Sequence, residues 1–206
     1  MNLPNFLIFF LALSSGYLLG SFPTGFLAGK WVSGIDLREI GSGSTGATNV
    51  LRHVGKGPAL IVFLLDVLKG IAAISLSRYL DLGDYSQVAA GLAALAGHIW
   101  PIWLQWKGGK AVATGLGILI GLSWPVGLAS LGIFLLILSI SKIVSLSSII
   151  SALCLPALMS LRFNGENFRL AYLIVSFAAM AMVIWRHRSN LQRLIAGTEP
   201  KIGKIR

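Results

Sequence analysis

Apolar runs long enough to cross a bilayer recur along this 206-residue chain and leave few folds open to it. A helix needs about 20 mostly apolar residues to span the hydrocarbon core. Such runs occur near 5–28, 58–80, 86–106, 143–161 and 168–185. The stretch 111–141 would make a helix of about 46 Å, too long for one comfortable crossing. Trp124-Pro125 sits in its middle, and proline favours a break there. The division gives 111–123, short for a full crossing and expected to be tilted or partly shielded from lipid, and 125–141. Seven spans result, with six as the alternative. A lipid-embedded backbone must satisfy its own polar groups, so the expected fold is an all-α polytopic membrane protein. Only 12% of residues are charged, against roughly 25% in a soluble domain. No Pro/Ser-rich linker or internal repeat interrupts the chain, so residues 1–206 read as a single integral membrane domain.

Basic residues orient the spans. Met1 to Asn5 contain no Lys or Arg, and the first lysine, Lys30, follows the first apolar run. A secretory signal needs a positive leading region. The order instead predicts a retained first helix, with the N-terminus outside and the C-terminus cytoplasmic. Of the 17 Lys and Arg residues, Arg78, Arg162 and Arg169 fall outside, Lys69 lies within a span, and the other 13 fall inside. Six spans would put the C-terminal basic cluster opposite Lys107 and Lys110. The net charge of +10 lies mostly in short segments between apolar runs. Anionic headgroups and anionic substrates are therefore the expected partners, and nucleic acid is not. Cys154 is the only cysteine, which excludes an internal disulfide and a multi-cysteine metal site.

Three inside segments concentrate polar chemistry. The first, GSGSTGATNVLR at 41–52, contains G-x-G-x-x-G, and Asp66 follows Gly46 at the distance a dinucleotide fold would use. No βαβ unit is available, and Asp66 lies in a span, so that reading fails. What remains is a glycine-rich backbone able to approach an anion, neutral hydrogen-bonding groups, and Arg52, whose planar guanidinium suits phosphate. The second segment runs from His98 to Thr114, where Lys107 and Lys110 flank Gly108 and Gly109. The lysines help fix topology. The paired glycines add a possible phosphate cradle, and the tryptophans read as interfacial anchors. The third is the basic stretch 185–201. If the last helix continues, His187, Asn190 and Leu194 share one of its faces. Asp66 and Lys69 are expected to pair with each other or with another helix. Ser145, Ser147 and Ser148 open the sixth span on the same membrane side as the three segments. H-E-x-x-H and G-x-S-x-G are absent, and no histidine is followed five residues later by aspartate.

Together the segments resemble the bacterial acyl-phosphate-dependent glycerol-3-phosphate acyltransferase family. The resemblance rests on GSGSTGATNVLR at 41–52, KGGKAVAT at 107–114 and RHRSNLQRLIAGTEPK at 186–201, supported by LDVLKG at 65–70 and the serines at 145–148. It extends through nearly the whole chain. It implies a seven-helix enzyme of the bacterial inner membrane with its active site facing the cytoplasm. The implied reaction moves a fatty acyl group from acyl phosphate to the 1-hydroxyl of glycerol 3-phosphate, the first acylation of phospholipid synthesis. No cofactor or metal is implied, and acyl-CoA is not the donor. By motif, Ser42, Gly43, Thr48, Asn49, Arg52, Lys107, Gly108 and Gly109 are expected to hold substrate phosphates. Lys110, Ser145, His187 and Asn190 are expected at the catalytic centre, with His187 as base or as positioning group. Ser44 stands where the family usually has Asn, and Ala111 where it usually has Gly. An alanine is expected to take ordinary backbone angles there. A transporter for a phosphorylated metabolite and a non-catalytic lipid-binding scaffold are the rival readings. A transporter would be expected to bind at the midplane between repeats.

Overall fold

The computed structural model describes residues 3–81 and 83–203. Lys204 and Arg206, part of the inside charge count, lie outside the described residues, as does Leu82 in the turn expected outside. All the regular structure among the described residues is helical. The chain divides into two compact units, residues 1–122 and 123–206.

In the first unit α1 (Leu3–Ser21) is followed by α2 (Thr24–Ser33), α3 (Ala47–His53), α4 (Lys56–Tyr79), α5 (Gly83–Ile99), a 3₁₀ turn at Ile102–Leu104, and α6 (Val112–Leu122). The first apolar run is thus interrupted at Phe22–Pro23, because Pro23 has no N–H to continue the ladder, and it extends past Lys30 to Ser33. The run read as 86–106 ends as an α-helix at Ile99, just before Pro101. Small residues bring the long helices together. A Cβ on Gly20 would strike the Ala94 carbonyl, and one on Gly97 the Tyr17 carbonyl, so α1 and α5 touch along their backbones. Gly70 and Gly117 do the same for α4 and α6. Close small-residue packing of this kind joins helices where lipid offers no hydrophobic drive. The segment 34–46 folds back under Leu37, which is fully buried with Val50, Ala59 and Val62. That cluster seats the 41–52 loop on α4.

The second unit holds α7 (Trp124–Ser141), α8 (Val144–Arg162), a 3₁₀ turn at Gly165–Asn167, α9 (Leu170–Arg186) and α10 (Arg188–Ile195). Pro125 sits in the first turn of α7, so the expected break falls where the sequence put it. Ser151 donates to the Ser130 carbonyl at 2.8 Å, clasping α8 to α7. The last helix does not continue: α10 bends 60° away from α9 at His187.

By length and composition, five helical stretches among the described residues can cross a membrane, and a sixth if α9 and α10 count as one bent span. α6 has 11 residues, about 16 Å against a hydrocarbon core of about 30 Å. None of its residues is exposed. It is short and shielded, as its sequence led one to expect. Leu60, Ile61, Leu64, Leu65 and Leu68 on α4, and Leu128, Leu135, Leu136 and Ile140 on α7, are exposed. Each of the two helices thus carries an exposed apolar face of its own, and such a face belongs in lipid.

Candidate functional site

The 41–52 loop is built around Asn49. This side chain is 1% exposed. Its amide donates to the carbonyls of Leu37 at 3.0 Å and Ile40 at 3.1 Å, and its oxygen accepts the Ser42 N–H at 3.3 Å. Asn49 therefore shapes the loop from inside, using groups the sequence reading assigned to phosphate. Gly41 and Gly43 take positive φ, 60° and 63°. The Gly43 N–H donates to the Ile40 carbonyl at 3.1 Å, so that amide is engaged within the loop. Ser42, Gly43 and Arg52 are exposed and Thr48 is half-buried. Arg52 has no hydrogen-bond or ion-pair partner among the described residues, which leaves its guanidinium for a solute. Arg38, by contrast, grips Asp36 through Nη2 at 2.7 Å and Nε at 3.0 Å, and reaches the Leu104 carbonyl at 3.3 Å. These bonds tie the first loop to the turn before Lys107. The Arg38 hydrogen bonds hold the Asp36 carboxyl at about 2, below its ordinary 3.8.

The Lys107–Lys110 loop doubles back on the end of α5. The Gly108 N–H donates to the Ile99 carbonyl and the Gly109 N–H to the His98 carbonyl, both at 3.0 Å. The expectation that these amides face an anion is corrected accordingly. A Cβ on Gly108 would strike the His98 carbonyl and one on Gly109 the His98 ring, so the glycines are there for close packing. Lys107 is exposed and Lys110 half-buried. Ala111 overturns a second expectation. Its φ is 58° at a buried position. A left-handed alanine costs roughly 1–2 kcal/mol, and the tethers at Gly108, Gly109 and α6 impose it.

In the second unit the C-terminal tail returns to α8. Glu199 Oε1 accepts Ser145 Oγ at 2.7 Å and Asn190 Nδ2 at 2.6 Å, and Oε2 accepts Arg193 Nε at 2.7 Å. The Ile202 N–H donates to the Lys142 carbonyl at 2.8 Å, which pins the tail beyond it. Burial opposes ionisation of Glu199. The hydrogen bonds from Asn190, Ser145 and Arg193 outweigh it and hold the carboxyl below its ordinary 4.5. Ser147 and Ser148 bond back to the carbonyls of Ile143 and Val144, so Ser145 is the one of the three serines that reaches across to another element. His187 stands at the α9–α10 bend, 3% exposed, with Nδ1 2.8 Å from the Val183 carbonyl. A carbonyl only accepts, so the Nδ1 proton is the one that makes this bond.

Sequence reasoning missed Glu199 as an organiser. The available signal was an acidic residue inside an otherwise basic segment. It also missed Arg38, which it read only as a topological charge. Among the described residues no three His, Cys, Asp or Glu side chains gather as a metal ligand set.

A protein-family model described as glycerol-3-phosphate acyltransferase matches residues 10–197. A glycerol-3-phosphate acyltransferase of Prochlorococcus marinus (strain MIT 9313) is 74% identical over 94% of this chain and 95% of its own length. One from Synechococcus sp. (strain CC9902) is 65% identical with the same coverage. Among solved structures, the integral membrane glycerol 3-phosphate acyltransferase PlsY (YgiH) in its glycerol 3-phosphate form aligns with TM-score 0.89 and 34% identity, covering 95% of this chain and 96% of that one. Its lysophosphatidic acid form aligns with TM-score 0.85 and 33% identity over the same shares.

Proposed function

The chain belongs to the glycerol-3-phosphate acyltransferase family, and on that premise we propose that it moves a fatty acyl group from acyl phosphate to the 1-hydroxyl of glycerol 3-phosphate. The products are lysophosphatidic acid and phosphate, and the step is the first acylation of bacterial phospholipid synthesis. The observation that carries this reading is the family match through residues 10–197, which includes the first two polar motifs and the third as far as Gly197. The glycerol 3-phosphate and lysophosphatidic acid forms of the solved relative support the acceptor and the product. The donor rests on chemistry: an acyl phosphate combines a long apolar tail with a phosphate head, which suits a lipid-embedded protein carrying basic loops.

Seven spans, an external N-terminus and a cytoplasmic site in the inner membrane complete the proposal, with both units serving one catalytic domain. Arg52 grips a phosphate bidentately, and Lys107 and Lys110 add charge. Ser42 and Thr48 contribute hydroxyls, while Asn49, Gly43, Gly108 and Gly109 hold the loops in shape. Ser145, His187 and Asn190 position the reacting groups. The mixed anhydride is already an activated carbonyl and phosphate is already a good leaving group. A substrate phosphate oxygen takes the proton as the 1-hydroxyl oxygen bonds to the carbonyl carbon, and the bond from that carbon to the phosphate oxygen breaks. Catalysis is then positioning and charge stabilisation, with no acyl-enzyme.

The decisive experiment supplies purified protein in detergent with palmitoyl phosphate and glycerol 3-phosphate. Lysophosphatidate should form without vesicles, and palmitoyl-CoA should not replace the phosphate donor. Equal turnover with both donors overturns the donor assignment, and no product from either overturns the activity. For orientation, a cysteine at the exposed Ser189 should be shielded from an impermeant thiol reagent outside intact cells, and one at the exposed Tyr85 should label. The reverse pattern overturns it.

A further inference from the structure

We infer that Asp66 is a positioning residue that sets the register of the two loops in the first unit. This rests on the acyltransferase reading for its catalytic consequence, though not for its geometry. Asp66 is 1% exposed in α4. A carboxylate near the bilayer centre costs about 2.5–3.5 kcal/mol on insertion scales. Lys69, one turn on, already answers that cost, with Nζ 2.8 Å from Oδ1. A local pair would need nothing more. Yet the same Oδ1 accepts Thr24 Oγ1 at 2.7 Å and lies 3.7 Å from His98 Nδ1.

Each of those contacts leads to a loop. Thr24 opens α2, and the next residue, Gly25, packs so closely on the Thr45 carbonyl that a Cβ would collide with it. Thr45 belongs to the 41–52 loop. His98 ends α5 beneath the other loop. Its carbonyl receives the Gly109 N–H, its ring abuts Gly109, and its Nδ1 is 3.1 Å from Thr114 Oγ1 in the first turn of α6. The Lys107–Lys110 loop is thus held against the imidazole at its floor and at its exit. Thr24, Thr45, Lys69 and His98 line one small cavity, where the two tethers meet. Lys69 Nζ also reaches the Phe22 carbonyl at 3.4 Å, at the α1–α2 break. One carboxylate oxygen therefore hydrogen-bonds the anchor of the first loop and packs against the imidazole that supports the second, which references both loops to α4. Misplacing a substrate-holding group by about 1 Å can cost on the order of 100-fold in rate.

The competing explanation is an ion pair that only stabilises. The double variant Asp66→Leu/Lys69→Met separates the two, because apolar replacement of a buried pair is often neutral for stability. Its thermal midpoint in detergent should stay near wild type. Its kcat should fall about 10- to 100-fold, and hydrogen exchange at residues 107–110 should accelerate. Wild-type kcat together with wild-type exchange would overturn the proposal. If the double variant fails to fold, His98→Gln takes its place, since it leaves the Asp66–Lys69–Thr24 contacts intact. It should show the same loss of kcat and the same faster exchange, and wild-type values for both would overturn the proposal. A wild-type protein that makes no lysophosphatidate refutes the acyltransferase reading alone, because the exchange comparison still tests the tether.

Discussion

Two buried carboxylates organise the two units in contrasting ways. Asp66 finds its cation one helical turn away, inside a single apolar helix, and adds Thr24 from α2. Glu199 sits in an irregular tail and gathers Ser145 from α8 with Asn190 and Arg193 from α10. The first centre is half assembled as soon as α4 forms, and it shelters its charge from lipid. The second exists only after the tail has returned to α8, and it fixes the position of two proposed catalytic groups. A carboxylate whose cation is local can be anticipated from spacing. One whose donors are scattered along the chain cannot.

The sharpest way to break this contrast is Glu199→Ala. It removes the common acceptor of three donors. Loss of a buried, charge-assisted acceptor costs about 3 kcal/mol or more when its partners are stranded. Thermal unfolding in detergent should show that loss, and lysophosphatidate formation should nearly vanish. A stable, active variant would mean the tail is incidental. The two arginines give the next test. Arg193 is engaged with Glu199, whereas Arg52 is exposed without a partner among the described residues. Arg52→Lys keeps the charge but not the planar fork. Activity should drop roughly tenfold or more, about 1.4 kcal/mol of transition-state binding, with an unchanged thermal midpoint. Wild-type kinetics with both substrates would reduce Arg52 to a topological charge.

Acid should then separate Glu199 from a neutral acceptor. Its folded pKa lies below the ordinary 4.5. The carboxylate therefore contributes stability that is fully present above 4.5 and fades as pH falls through the folded value. The stability gap between wild type and Glu199→Gln should be full at pH 7 and should shrink below pH 4.5, by at most about 1.4 kcal/mol per pH unit. A gap that does not change with pH would assign Glu199 a purely steric role. The smallest effect is expected at the loop tethered through His98. Ala111→Gly should relieve the left-handed strain and raise stability by up to about 1 kcal/mol. A lowered midpoint would show that the alanine methyl contributes more to packing than its φ costs.

Much of the helical layout was legible, and the exceptions share a cause. The break at Trp124-Pro125 and the shielding of α6 follow from a run too long for one crossing, with a proline in its middle. The interruption at Phe22–Pro23 was missed because the residues beyond it stay apolar, so hydropathy continues where the backbone ladder does not. The bend at His187 was missed because 186–195 keeps a helical pattern on both sides. At the candidate site, the residue types pointed to phosphate chemistry. The uses of Asn49, Gly43, Gly108 and Gly109 depend on which carbonyls come within reach of their amides, and that is set by how each loop folds back on itself and on the helix before it.

The order of residues alone dictates the solvent and the periodicity of this protein. Apolar runs of spanning length require helices in lipid, because no other open structure satisfies its own backbone there. The motifs point to the family. Three-dimensional packing settled the rest. It folded the tail so that Glu199 meets Ser145 and Asn190, it turned the glycine amides of the second loop inward, and it forced Ala111 to a φ of 58°. The first two depend on groups beyond helical reach of one another meeting within about 3 Å, the range in which a hydrogen bond is made, and the third follows from the second. No local propensity encodes such a meeting.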